Sequence, residues 1–505
     1  MRRVTAFAAA AAVALAACST PPVRELPPLP DRYFTAAPGA ADARDPAALA
    51  DWWQAFDDPP LTELVRTALA RNLDVQSALA DIRLARAQLR QARSALYPRL
   101  DVAGQGSRQF IDTERLADSA IGQQFGFEED EVNFDMWQLA LQAEWEIDLF
   151  GANRLRAEAG RTQLGSAQAQ LVATRLAVAS NLAQGYVQAR ALIAQRAILI
   201  ESIEVARELE RVADARFRLG EVTRLDVEAA AAQRAGIEAS LGDIDASLAQ
   251  ATFALDTLID RPPGTVRARL ADEGRVPLAD AVVPRGQPVD LLRRRPDVIA
   301  AAAGLEAAEL QALASRRDLF PKIGLSAALG RTGLGLGEFS AASDLKSLSG
   351  QVSVPWFDFG ARRAAIDLAD AQADSGYVAL RQALAGALED VEVASAQLDA
   401  RRAQLAARRE TRERAQTAWR MARRTYEVGL ANLADVLDAQ NGLLDARRQL
   451  LDTERALALA QIALYVALGG GWNPHPDAPD GVEAVRQDLQ SEPVPDRIRR
   501  PEPTP

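Results

Sequence analysis

The chain has 505 residues, a formal net charge of -11, one cysteine and one histidine. The acidic balance argues against a nucleic-acid binder, which would show a basic face, and a single cysteine excludes an internal disulfide. No metal-ligand spacing, phosphate-binding loop or nucleophile elbow is present, so no cofactor is expected and an enzyme has no residues to stand on.

Met1-Arg-Arg3 forms a basic n-region, Ala6 to Ala17 an apolar core, and Leu15-Ala-Ala-Cys18 closes it. The run is too short to span a bilayer, so residues 1–17 read as a signal peptide. Residues 18–50, rich in Pro, Ala and Asp and without periodicity, read as a tether. Order is expected from Asp51-Trp-Trp-Gln-Ala-Phe-Asp-Asp-Pro-Pro60, where aromatic residues dock the tether and the prolines open a helix. That helix is predicted from about Leu61 to Leu96 and stops before Tyr97-Pro98.

Two strands are predicted next, about Arg99 to Phe110 and about Phe134 to Leu149, flanking an acidic loop from Asp112 to Asp130. In the second strand Trp137, Leu139, Leu141, Ala143, Trp145, Ile147 and Leu149 share one face, opposite Gln138, Gln142, Glu144, Glu146 and Asp148. That alternation suits a transmembrane strand between lipid and a wet lumen. It suits a soluble amphipathic strand almost as well.

From Ala152 the chain is a run of helix formers, interrupted by Gly160, Gly165 and Gly185, up to a break at Phe217-Arg-Leu-Gly220. A helix of about 65 residues is roughly 100 Å long, more than any compact core requires. A second helix is predicted from about Thr223 to Ile259, stopped by Arg261-Pro-Pro-Gly264, and a proline-spaced connection then covers residues 265–288. The pattern starts again with a helix from about Val289 to Phe320. Strands at about Lys322 to Arg331 and Leu348 to Phe357 follow, with Gly333 to Gly337 as loop between them. A rod from about Ala361 to Tyr426, a turn at Val428-Gly429 and a helix from about Leu433 to Leu468 complete it. Arg401 to Arg424, where basic residues interleave with Glu and Ala, reads as a solvated helix face. The acidic, proline-rich residues 473–505 read as a disordered tail.

The recurrence is a tandem duplication. Trp145-Glu-Ile-Asp-Leu-Phe-Gly151 is answered by Val354-Pro-Trp-Phe-Asp-Phe-Gly360, and Ala215 to Asp226 by Arg424 to Asp435, both about 209 residues on. Tyr97-Pro98 and Phe320-Pro321 are about 223 residues apart, so the second hairpin loop must be about 14 residues shorter. Residues 51–264 and 289–472 are therefore two structural repeats, each a short helix, two strands, a long helix and a medium helix. Four strands cannot close a membrane barrel, for which single chains need at least eight; if these span a bilayer, several copies share one barrel.

Several spaced segments resemble the TolC-type outer membrane factors, in the lipoprotein branch that serves pumps of the resistance-nodulation-division type. They are the lipobox at Cys18, Trp52-Trp53 with Phe56 and Asp58-Pro59, Asn72-Leu73-Asp74, Leu292-Arg-Arg-Arg-Pro-Asp297, Phe320-Pro321, and Tyr426 to Asp438. The resemblance implies a membrane β-barrel plus a long α-helical barrel, as a homotrimer sharing twelve strands. It implies an outer-membrane location with the helices in the periplasm and acyl chains on Cys18 in the membrane lipid. It also implies a periplasmic adaptor protein and an inner-membrane efflux pump as partners, and passive export of drugs or other small toxic compounds.

The resemblance assigns a periplasmic gate to Asp435, Asp438 and Tyr426, the tyrosine hydroxyl tethering neighbouring helices. Asp435 and Asp438 are three apart in the first turns of a helix, hence on one face; the same residues would also simply complement the helix dipole. Asp226, which aligns with Asp435, has Arg224 nearby and Ala229 where the second carboxylate would be, so it reads as a salt-bridge or capping residue. Leu219-Gly220 and Val428-Gly429 are turns and, by resemblance, adaptor contacts. Trp137, Trp145 and Trp356 are candidates for an interfacial aromatic girdle. Two rival readings remain: a duct for secreted proteins, and a lipid-anchored coiled-coil scaffold without a pore, which would need sustained heptads and leaves the amphipathic strands unexplained.

Overall fold

The computed structural model describes residues 24, 28–35, 47–112, 131–270, 274–280, 283, 287–336 and 339–472. The signal peptide, Cys18, most of the tether, the acidic loop, Gly337 and the tail lie outside the described residues. Helices α1 (Pro59–Arg71) and α2 (Leu73–Ser94) lead into strands β1 (Arg99–Asp112) and β2 (Glu131–Ile147), then α3 (Ala152–Arg218) and α4 (Arg224–Leu258). The second repeat supplies α5 (Pro296–Arg317), β3 (Lys322–Leu336), β4 (Phe339–Ser353), α6 (Ala361–Glu427) and α7 (Leu433–Ala467). The duplication is kept to the residue in the helices: α3 and α6 have 67 residues each, α4 and α7 have 35 each.

The predicted first helix is two. Asn72, buried, leaves helical geometry at ψ 137° and caps α2, its side-chain oxygen accepting from the amides of Asp74 and Val75 while its amide nitrogen donates to the Leu258 carbonyl. The second short helix is likewise split, at Arg295, by Pro296. The glycines that interrupt the first rod do not break it. A Cβ at Gly185 would lie 3.0 Å from a Leu255 methyl, and one at Gly160 would meet Leu89 at 3.6 Å. These glycines let helices approach closely, a tertiary reason invisible in helix propensity.

Two compact units cut across the repeats. One holds the sheet with residues 83–165 and 302–378; the other holds residues 26–82, 166–301 and the chain from 379 on. In the first, the four strands form one antiparallel sheet in the order β1-β2-β3-β4. The segment Gly333 to Leu336, expected as loop, is strand: Gly333 pairs with Trp137 and Leu336 with Phe134. A Cβ at Gly333 would overlap the Trp137 indole, so this glycine makes room for a ring rather than a turn. At the other end β4 stops at Ser353, which pairs with the first residue of β3, Lys322. Pro321 precedes Lys322 and Pro355 follows, so within one chain the ladder has no continuation there.

In the second unit Trp52, Trp53 and Phe56 are fully packed, and Trp52 stacks on Tyr465 at 5.7 Å. Asp58 caps α1 and accepts from the Tyr186 hydroxyl at 2.8 Å, tying that cap to the first rod. Arg295 bonds Asp297, Asp390 and the Ala467 carbonyl, which joins α6 and the end of α7 to the start of α5. The arginine-rich motif therefore includes a structural keystone.

Candidate functional site

The described residues singled out in the sequence as site candidates fall in two regions, the sheet and the helix-hairpin tips. In the sheet the register lines up apolar side chains across all four strands in one row, Leu100, Ala143, Ala327 and Leu348, while the next row, Val102, Leu141 and Leu329, ends in Lys346 on β4. Opposite them run Asp101, Gln142 and Ser347, and Arg99, Glu144 and Ser349. Leu100, Val102, Leu139, Leu141, Leu329, Leu348 and Val352 are all exposed, as no element among the described residues covers this face. A soluble sheet would bury that face.

Trp137 and Trp145 lie on the apolar face of β2, about 26 Å apart along the strand at about 3.3 Å per residue, which at the roughly 40° tilt of barrel strands is about 20 Å of height, within a barrel's apolar band of roughly 25 Å. Trp137 is 46% exposed, whereas Trp145 donates from Nε1 to the Leu96 carbonyl at 3.2 Å. The strand expected from Leu348 to Phe357 instead runs Phe339–Ser353, so Trp356 lies beyond β4 and is 94% exposed. Arg108–Asp135 and Arg331–Asp344 pair across neighbouring strands on the apolar face, toward its loop end.

Each hairpin tip is built by the same two devices. At the first, Gly220 takes φ 77°, the Gly220 amide donates to Phe217 and that of Glu221 to the Arg216 carbonyl. At the second, Gly429 takes φ 78°, its amide donates to Tyr426 and that of Leu430 to Thr425. Both are left-handed glycine C-caps that absorb the last free carbonyls of the rods. The returning helices open on capping boxes, Thr223 with Asp226 and Asn432 with Asp435. Leu219, Val428 and Leu430 project from the turns, exposed.

The capping box qualifies the sequence expectation for Asp435, whose carboxylate accepts from the Asn432 amide at 3.2 Å. Asp435 and Asp438 still share one exposed face, away from the buried Leu433 and Val436. Asp226 is a capping residue; the Thr223 hydroxyl and amide donating to it hold its carboxyl below the usual carboxylate range.

Tyr426 departs from expectation. Its ring is 2% exposed, packed with Leu209, Ala213, Val227, Leu433 and Val436, and its buried hydroxyl makes no bond of ordinary geometry. Burial pushes the hydroxyl's pKa up, against the pull of Arg216. What ties the helices is Arg216, which no sequence motif singles out. Its guanidinium lies 4.2 Å over the Tyr426 ring and donates to the carbonyls of Tyr426 (3.0 Å) and Glu427 (3.2 Å), the end of α6. A cation there also meets the negative end of the helix dipole. The only sequence signal is an arginine in a rod's last turn, a common C-terminal feature.

Among the described residues no group of three or more His, Cys, Asp or Glu is placed to hold a metal ion. A duplicated protomer of long helices and a bare-faced four-stranded sheet defines an outer-membrane channel of the TolC type. The model of the outer membrane efflux protein family matches residues 64–260 and 288–470, and the chain belongs to that family. It is an outer-membrane channel component of bacterial efflux systems. The pyoverdine export outer membrane protein OpmQ of Pseudomonas aeruginosa is 30% identical over 92% of this chain and 96% of its own length. The cation efflux system protein CusC of Escherichia coli is 28% identical over 91% and 97%. Among solved structures, the outer-membrane channel OprN superposes with a TM-score of 0.76 at 28% identity, covering 89% of this chain and 99% of that one.

Proposed function

We propose that three copies of this chain close one twelve-stranded barrel in the outer membrane, anchored by acyl chains on Cys18, and export small toxic compounds delivered by a periplasmic adaptor and an inner-membrane pump. The observation that carries this is the sheet: its apolar face is bare, and β1 and β4 each leave an edge unpaired among the described residues. A long exposed edge invites pairing, and lipid tolerates none left open.

The duplication supplies the register of that pairing. Ile147 pairs with Ile323 inside the chain, and the equivalent positions of the other repeat are Trp356 and Leu100. Pairing with Leu100 of a neighbouring copy would carry β4 on through Trp356 and bring that ring to the apolar face, level with the girdle. Trp137 and Trp145 mark the two borders of the band.

At the hairpin tips, three-fold symmetry would gather the exposed Asp435 and Asp438 into acidic rings that favour cations, and Arg216 would hold the gate hairpin shut against the first. The exposed Leu219 and Val428, with Gly220 and Gly429 shaping the turns, offer apolar tips to the adaptor. The pyoverdine and cation cargoes named for relatives are small solutes, which suit such a duct better than secreted protein does.

The test is single-channel conductance in planar bilayers, wild type against Asp435→Asn with Asp438→Asn. The amide keeps an acceptor for the Asn432 cap while removing the charge. A small, cation-preferring conductance that grows and loses selectivity in the double variant is expected. An unchanged conductance would move the constriction elsewhere, and silence from folded, inserted protein would favour the pore-less scaffold.

A further inference from the structure

The structure assigns a second anchoring device to Arg24, a residue of the tether. Its Nε and one terminal nitrogen donate to Asp374 Oδ1 at 3.1 and 2.8 Å, and the other terminal nitrogen donates to Glu309 Oε1 at 3.2 Å. Glu309 belongs to α5 and Asp374 to α6, so one guanidinium bridges two helices. The Arg24 side chain is only 9% exposed. Seated there, it separates two carboxylates that face each other from neighbouring helices. The guanidinium is buried although Glu309 and Asp374 stay 39% and 70% exposed, and a fork held by two acids on different elements is better fixed than a single surface pair.

We propose that Arg24 is the pin that holds the lipid tether to the body of the protein at a set distance from the acylated cysteine; this rests on the reading of Cys18 as lipidated. Arg24 follows Cys18 by about six residues, a span of at most roughly 20 Å. Glu309 lies about 12 Å from the end of α5, and Asp374 about 20 Å from the start of α6, at 1.5 Å per helical residue. Those helix ends adjoin β3 and β4. The tether is thus just long enough to bring the acyl chains level with the roots of the strands, and too short to let them wander far from the barrel. The pin converts a flexible leash into a ruler: lipid and barrel enter the same leaflet in register.

Trypsin reads the seat directly, since it must take the Arg24 side chain into its own pocket to cut Arg24–Glu25. The measurement is the rate of release of the peptide 18–24 from full-length protein in membranes, wild type against Glu309→Gln with Asp374→Asn. Protection of wild type by at least about tenfold relative to the double variant is expected, because each unit of 1.4 kcal/mol in opening is a factor of ten. Cleavage within α6, at Arg402, stays slow in both proteins if the fold is intact, so a variant that merely unfolded would betray itself by losing both protections. Wild type protected no better than a heat-denatured sample, or equal rates in folded wild type and variant, would overturn the pin. The mass of the released peptide answers the separate question: without an acyl mass the lipidation reading fails while the seat of Arg24 stands or falls on the rates.

Discussion

The two hairpin tips have one ancestry and one backbone, yet different side-chain duties. Gly220 and Gly429 differ by one degree in φ, and both tips use a capping box three residues beyond the turn. Duplication kept what the backbone requires. Arg216 and Thr425 occupy equivalent positions, however, and so do Ala229 and Asp438, and Glu221 and Leu430. Only the first tip reaches across and grips the end of the other rod, and only the second presents two exposed carboxylates three residues apart on one face of its returning helix.

Breaking that asymmetry should have the largest effect. Arg216→Ala removes a cation–π contact and two charge-assisted bonds to the end of α6, on the order of 2–3 kcal/mol in this partly buried place. The expected result is a larger single-channel conductance and faster proteolysis of the second tip. Arg218→Ala, which removes only an exposed pair with Asp214, should leave both unchanged. Equal behaviour of the two variants would remove Arg216 from the gate.

The shared backbone can be sharpened next. Gly220→Ala and Gly429→Ala each force a Cβ into left-handed geometry at about 1–2 kcal/mol. No side-chain clash adds to this, because a Cβ at either position would meet nothing within 4 Å. Thermal unfolding should therefore show near-equal losses from the two substitutions. A large inequality would mean that a partner chain crowds one turn.

The smallest effect concerns acid. The Thr223 hydroxyl and amide lower the Asp226 pKa in the fold, so the stabilisation is present above the unfolded value of about 3.9 and fades as pH falls through the folded one. Hydrogen-exchange protection at the first tip, taken relative to the intrinsic rate at each pH, should fall over that acid range, and Asp226→Asn should flatten that fall. A protection factor that still falls with acid in the variant would place the titrating group elsewhere.

Much of the fold is legible in the sequence because it rests on local rules. The rods end where Gly supplies positive φ, the returning helices start at Thr223 and Asn432, and alternation locates β2. The break in the first short helix is only half local: Asn72 caps α2 through the amides of Asp74 and Val75, but its amide nitrogen is held by the distant Leu258 carbonyl. Gly333 looks like a turn because its partner, the Trp137 ring, arrives from far along the chain. In the site, the turns and the acidic face follow from spacing, but resemblance gives Tyr426 a hydroxyl role and Arg216 none. Nothing local says that an arginine of one rod will lie on a tyrosine of the other.

The sequence by itself determined the duplication, the lengths and ends of the long helices, the two-faced strands and the absence of catalytic chemistry, since each follows from residue periodicity, caps and composition. Only the tertiary structure decided which glycines make turns and which make room, where β4 stops, and which side chain ties the two rods together at their tips. Those outcomes depend on what stands opposite a residue across the fold, and no local pattern encodes its neighbour's identity.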